Sequence, residues 1–71
     1  MNSDELKPYI LEVMKDGRSL NGRWIKHKLD RMGIETNVQT IRTACEKLEK
    51  DGKLINLGKF AGRTEWRSVV C

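Results

Sequence analysis

The chain has 71 residues, 38% of them hydrophobic and 34% charged, with fourteen Lys and Arg against ten Asp and Glu. A chain this short folds as one small domain around a single core, which leaves no room for a deep internal substrate pocket. The composition excludes a disordered chain, no apolar run reaches the length of a membrane span, and the acidic start MNSDELKPYI lacks a signal-peptide apolar stretch, so a cytoplasmic domain over 1–71 is expected.

The first helix is expected to begin near Asp4, with Pro8 in or near its first turn, where a missing N–H does least harm. Leu6, Ile10, Val13 and Met14 share a face, Tyr9 lies beside them, and Gly17 is a natural stop. Ser19 fits as the N-cap of a second helix over 20–32. Ile25, Leu29 and Met32 form its apolar face with Trp24 at the edge. Gly22 weakens its first turn. Its other side is basic through Arg23, Lys26, Lys28 and Arg31, and Gly33 ends it. Arg23, Lys26 and Arg31 could brace phosphates or simply be solvated. Ile34-Glu35-Thr36 is a connector or one extended rung of a sheet.

Asn37 caps a third helix over 38–50, and Thr36 with Gln39 offers an alternative capping box. Val38, Ile41, Cys45 and Leu48 recur at helical spacing, which makes Cys45 a buried, inert thiol. Asp51-Gly52 closes the helix. From Lys53 the period changes to two. LINL places Ile55 and Leu57 on one face and Leu54 on the other. TEWRSVV sets Trp66, Ser68 and Val70 against Glu65, Arg67 and Val69. The glycine-containing segment 58–63 between these runs makes them a β-hairpin. Trp66 is expected in the core or at its edge, and Phe60 either to fold back onto the core, the preferred reading, or to be an exposed contact. Cys71 is expected to be exposed, where it could cross-link two chains in air.

The order helix, helix, helix, hairpin resembles a winged helix, the helix-turn-helix variant with a C-terminal β-hairpin wing. Asn37-Val38-Gln39-Thr40-Ile41-Arg42 is similar to the opening of many bacterial recognition helices. Leu48-Glu49-Lys50-Asp51-Gly52-Lys53-Leu54-Ile55 resembles the passage from that helix into the wing, and Ile25 and Leu29 fit the second helix's step. The resemblance implies an α+β fold and a third helix that enters the major groove of duplex DNA. Lys53-Leu54 and Trp66 also resemble the Z-DNA-binding winged helices. Arg42 and Glu46 stand where those carry Asn and Tyr, and the wing lacks their prolines, which weighs against that subtype.

Within this frame the polar face of the third helix acquires a chemistry. Gln39, Thr40, Arg42 and Thr43 fall in its first turns. Gln can pair with adenine, Arg with guanine, and a Thr methyl can touch thymine. Lys47 and Lys50 lie farther along and would reach phosphates. Glu46 either accepts from cytosine or, preferably, pairs with Arg42 or Lys50. Lys59 and Arg63 flank the hairpin tip, where a guanidinium suits a narrow minor groove. Charge agrees with this placement: residues 1–36 carry seven basic and six acidic side chains, residues 37–71 seven and four.

Expected partners are therefore double-stranded DNA, with a second copy of the chain or an acidic protein as further possibilities. The expected role is transcriptional regulation. The rival is a winged helix that binds proteins and no DNA. An enzyme is not expected. His27 has no carboxylate or nucleophile near it in sequence, the Cys and His positions have no zinc spacing, and no phosphate-cradling glycine motif occurs. No cofactor or metal is expected.

Overall fold

A computed structural model describes residues 2–69; Val70 and Cys71, and the expectations that fall on them, lie outside it. The elements run α1 (Ser3–Val13), β1 (Leu20–Asn21), α2 (Gly22–Arg31), α3 (Val38–Lys50), β2 (Leu54–Phe60) and β3 (Arg63–Ser68). Three helices followed by an antiparallel hairpin make the α+β, winged-helix-like arrangement expected from the sequence.

Each helix starts on an asparagine. The side-chain oxygens of Asn2, Asn21 and Asn37 accept from the backbone N–H of Glu5, Trp24 and Thr40, satisfying one donor that each helix start leaves open. Asn37 also accepts from the Thr40 hydroxyl at 3.0 Å, so the asparagine cap, not the capping box, sets the start of α3. Helices α2 and α3 end alike. Gly33 and Gly52 adopt positive φ, and the next residues, Ile34 and Lys53, donate back to the Leu29 and Leu48 carbonyls at 3.0 and 2.8 Å.

Several local expectations shift. Helix α1 ends at Val13 with Met14 as its cap, before Gly17. Pro8 lies inside the helix, beyond its first turn, so it donates no N–H to the Asp4 carbonyl. Ser19 caps nothing. Leu20 and Asn21 form β1 instead, with Leu20 opposite Trp66 and Asn21 opposite Glu65. The extended rung thus precedes α2, and 34–36 is a connector. The sheet order is β1-β3-β2.

The core gathers one stripe from each helix and the inner face of the sheet. Leu6, Ile10 and Met14 come from α1 and its cap, Ile25 and Leu29 from α2. Ile41, Ala44, Cys45 and Leu48 come from α3, Leu54 and Trp66 from the hairpin. Each large aliphatic side chain buried in this way contributes about 1.5–3 kcal/mol. Burial pushes the Cys45 thiol up to about 12, which keeps it protonated and unreactive at neutral pH.

Helix α2 buries a narrower stripe than expected. Met32, in the cap, is 46% exposed, and Trp24 is 56% exposed rather than core-edge. Phe60 is 53% exposed and does not fold back. Strand β2 continues through Phe60, so the hairpin turn shrinks to Ala61-Gly62, with Phe60 opposite Arg63. Both turn residues have positive φ, 53° and 79°, the conformation that lets a two-residue turn match the twist of its strands. A bulge at Leu57, between the Asn56–Trp66 and Gly58–Glu65 pairs, bends the hairpin.

Candidate nucleic-acid interface

Helix α3 has two polar flanks. With Ile41, Ala44, Cys45 and Leu48 inward, Gln39, Glu46 and Lys50 point away from the core, with Arg42 on one flank and Thr40 and Lys47 on the other. Gln39, Arg42 and Lys50 are exposed. Gln39 and Lys50 share a face but lie about 16 Å apart along the axis.

The Arg42 flank faces the N-terminus of α2 and the hairpin tip. Arg42, Lys59, Gly62 and Arg63 line a cleft of about 120 Å³, together with Gly22, Arg23 and Thr64. Gly22 is what permits this closeness. A Cβ there would stand 3.2 Å from Val38 Cγ1, so the missing side chain lets α2 start close against Val38, with the stem of Arg42 in ordinary contact at 3.8 Å. Strand pairing fixes the third wall. Asn21, the cap of α2, lies opposite Glu65 on β3, which ties the helix start to the hairpin. Arg23 and Arg63 also wall an adjoining depression of about 370 Å³ with Trp24 and His27.

None of Arg23, Arg42, Lys59 and Arg63 has a carboxylate within 4.0 Å among the described residues. The expected pairing of Glu46 with Arg42 or Lys50 is not made; the carboxylate stays exposed in solvent. Four cations, one each from α2, α3, β2 and β3, therefore converge without internal neutralisation. Like charges brought together repel, and an anion placed between them relieves that repulsion.

The opposite flank is different. The Lys47 ammonium donates to Ser3 Oγ at 2.8 Å and to Asp4 Oδ1 at 3.1 Å. Lys7 joins the same group, 3.3 Å from Asp51 Oδ2 and 3.8 Å from Asp4 Oδ1. The hydrogen bond and charge of Lys47, with a smaller contribution from Lys7, hold the Asp4 carboxyl below its ordinary value. Lys47 is drawn to α1, so the expectation that it reaches phosphate gives way to a bracing role. Thr40 sits on this flank with its hydroxyl bonded to the Asn37 cap. The Thr43 hydroxyl donates to the Gln39 carbonyl at 3.1 Å, which leaves its methyl as the group to present.

Of the eight residues singled out from sequence, Arg42, Lys59 and Arg63 meet at the cleft. Gln39, Thr43 and Lys50 lie on the outward face, Lys47 turns toward α1, and Thr40 is bonded to the Asn37 cap. Arg23 belongs with the first group. Its sequence signal was only membership of a basic helix; its place follows from β1, which no local pattern announces. Among the described residues no cluster of His, Cys, Asp and Glu could hold a metal ion, and no helix is long and apolar enough to cross a membrane. Comparison with family models, curated proteins and solved structures finds no match.

Proposed function

We propose that the chain is a sequence-specific binder of double-stranded DNA that serves in transcriptional regulation, with α3 in the major groove and the hairpin tip on the flanking groove or backbone. One observation carries the reading: Arg23, Arg42, Lys59 and Arg63 converge, unpaired, where the exposed start of α3 meets the tip. In this arrangement Gln39 and Arg42 read base edges, and the Thr43 methyl offers a contact for thymine. Arg23, Lys59 and Arg63 hold phosphates, which orient the helix without reading sequence. Lys50, farther along α3, reaches the backbone beyond.

Titration of labelled genomic and random duplexes at several salt concentrations tests the proposal. Neutralisation of four phosphates gives a slope of about −3.6 in log affinity against log salt. Absence of duplex binding even at low salt would overturn it. Equal losses on specific and random duplex for Arg42→Ala would remove Arg42 from base reading.

A further inference from the structure

Trp24 is the most exposed of the large hydrophobic side chains among the described residues, at 56%. It borders three adjoining depressions. The largest, about 530 Å³, runs between α1 and α2. Val13, Trp24 and Met32 supply its apolar surface, and His27, Lys28 and Arg31 its polar wall. Trp24, Lys28 and Met32 follow at i, i+4 and i+8, so they form one stripe of about 12 Å along α2. The His27 and Trp24 rings meet edge to face at 6.0 Å, which braces the indole at the start of this stripe.

The charges around the stripe select its occupant. Lys28 and Arg31 have no carboxylate within 4.0 Å among the described residues. The acidic residue on the wall, Glu12, is held by Lys15 at 2.6 Å. A second copy docked face to face would set Lys28 and Arg31 against their own images. A nucleic-acid strand would answer the cations but leave Val13 and Met32 uncovered. A peptide with apolar anchors flanked by carboxylates answers both.

We propose that the α1–α2 groove docks a short acidic, amphipathic segment of another protein, with its apolar side chains on Trp24 and Met32 and its carboxylates on Lys28 and Arg31. The segment spans about two helical turns, the length of the stripe. The site lies on the α1 side of α2, away from the flank where Gly22 meets Val38 of α3. The proposal does not rest on the duplex reading, although the two surfaces adjoin at Trp24, which also walls the depression of Arg23 and Arg63.

The test is selection from a phage-displayed library of random short peptides on the full chain, followed by anisotropy titration of an enriched peptide. Enriched sequences are expected to be acidic, with apolar residues three or four apart. Trp24→Ala and the double change Lys28→Glu with Arg31→Glu should each weaken binding at least about tenfold, while Ile55→Ala, an exposed apolar change on the hairpin, stays within about twofold. Unchanged circular dichroism in each variant shows that the fold is kept. The absence of enrichment, basic or uncharged winners, or affinity indifferent to both α2 changes would overturn the proposal. So would a selection without acidic winners in which Trp24→Ala weakens a single-stranded or duplex oligonucleotide; that result gives the face to nucleic acid.

Discussion

The two flanks of α3 use the same kind of charge for opposite ends. On one, Lys47 and Lys7 are tied to Ser3, Asp4 and Asp51, and the cations fasten the C-terminal half of α3 to the start of α1. On the other, Arg42 faces Arg23, Lys59 and Arg63 with no carboxylate among them. A count of basic residues cannot separate these flanks; their partners can. Paired cations are already answered within the fold, and exposed pairs of this kind contribute only modestly to stability. The unpaired group carries a repulsion that an incoming anion removes, and this is where binding should be felt.

The sharpest way to break the comparison is to reverse charge on the free flank. Arg42→Glu with Arg63→Glu should weaken specific duplex binding by more than about a hundredfold, because attraction becomes repulsion at a base-reading and a phosphate position together. Single Arg42→Ala should cost about 1–3 kcal/mol on a specific site and less on random duplex. Lys59→Ala should weaken all duplexes alike and lower the salt slope by about one. Anisotropy titration reads all of these. On the tied flank, Lys47→Met should leave duplex affinity within about twofold and lower stability by up to about 1 kcal/mol in urea unfolding. A loss of duplex affinity for Lys47→Met equal to that for Arg42→Ala would erase the distinction between the flanks.

A smaller change sharpens the free flank from the hairpin side. Ala61 occupies the left-handed region at φ 53°, where its Cβ is strained, beside Gly62 at 79°. Ala61→Asn supplies the Asn-Gly pair that such turns favour and should stabilise the fold by about 1 kcal/mol, about 4–8 °C in Tm. Duplex affinity should rise slightly or stay level, since Lys59 and Arg63 become better fixed. A lower Tm would show that the tip does not hold this turn in solution.

The parts read well from sequence were those decided within a few residues. Asn37 and Asp51-Gly52 bound α3 because a cap and a stop act on adjacent backbone groups, and the hairpin followed from a change of period. The misplaced parts depend on distant partners. Leu20 and Asn21 read as a helix start after Ser19, yet Trp66 and Glu65 draw them into the sheet. That pairing also brings Arg23 beside Arg63. Met32 read as core and Trp24 as its edge because their spacing is helical, but both side chains stay half-exposed. Lys47 read as a phosphate contact because nothing in the third helix reveals that Ser3 and Asp4 lie against it.

The tied flank also predicts a weak dependence on pH. The Lys47 hydrogen bond and charge lower the Asp4 carboxyl from 3.8, so the folded state holds its proton less tightly than the unfolded chain does. The contribution is fully present above the unfolded value and disappears as pH falls through the depressed folded value, so the window lies in the acid range just below 3.8. Asp4 is exposed to solvent, which screens the pair and makes this the smallest of the expected effects. The readout is the difference in Tm between the chain and Asp4→Asn, followed from neutral pH down to about pH 2.5. It should shrink toward zero in acid while other carboxylates titrate equally in both proteins. Lys47→Met should remove the same pH-dependent part, and the double variant should lose little more than either single one. A difference that stays flat through this range would mean that the Lys47 bridge is not maintained in solution, and the contrast between the two flanks would then rest on the cleft alone.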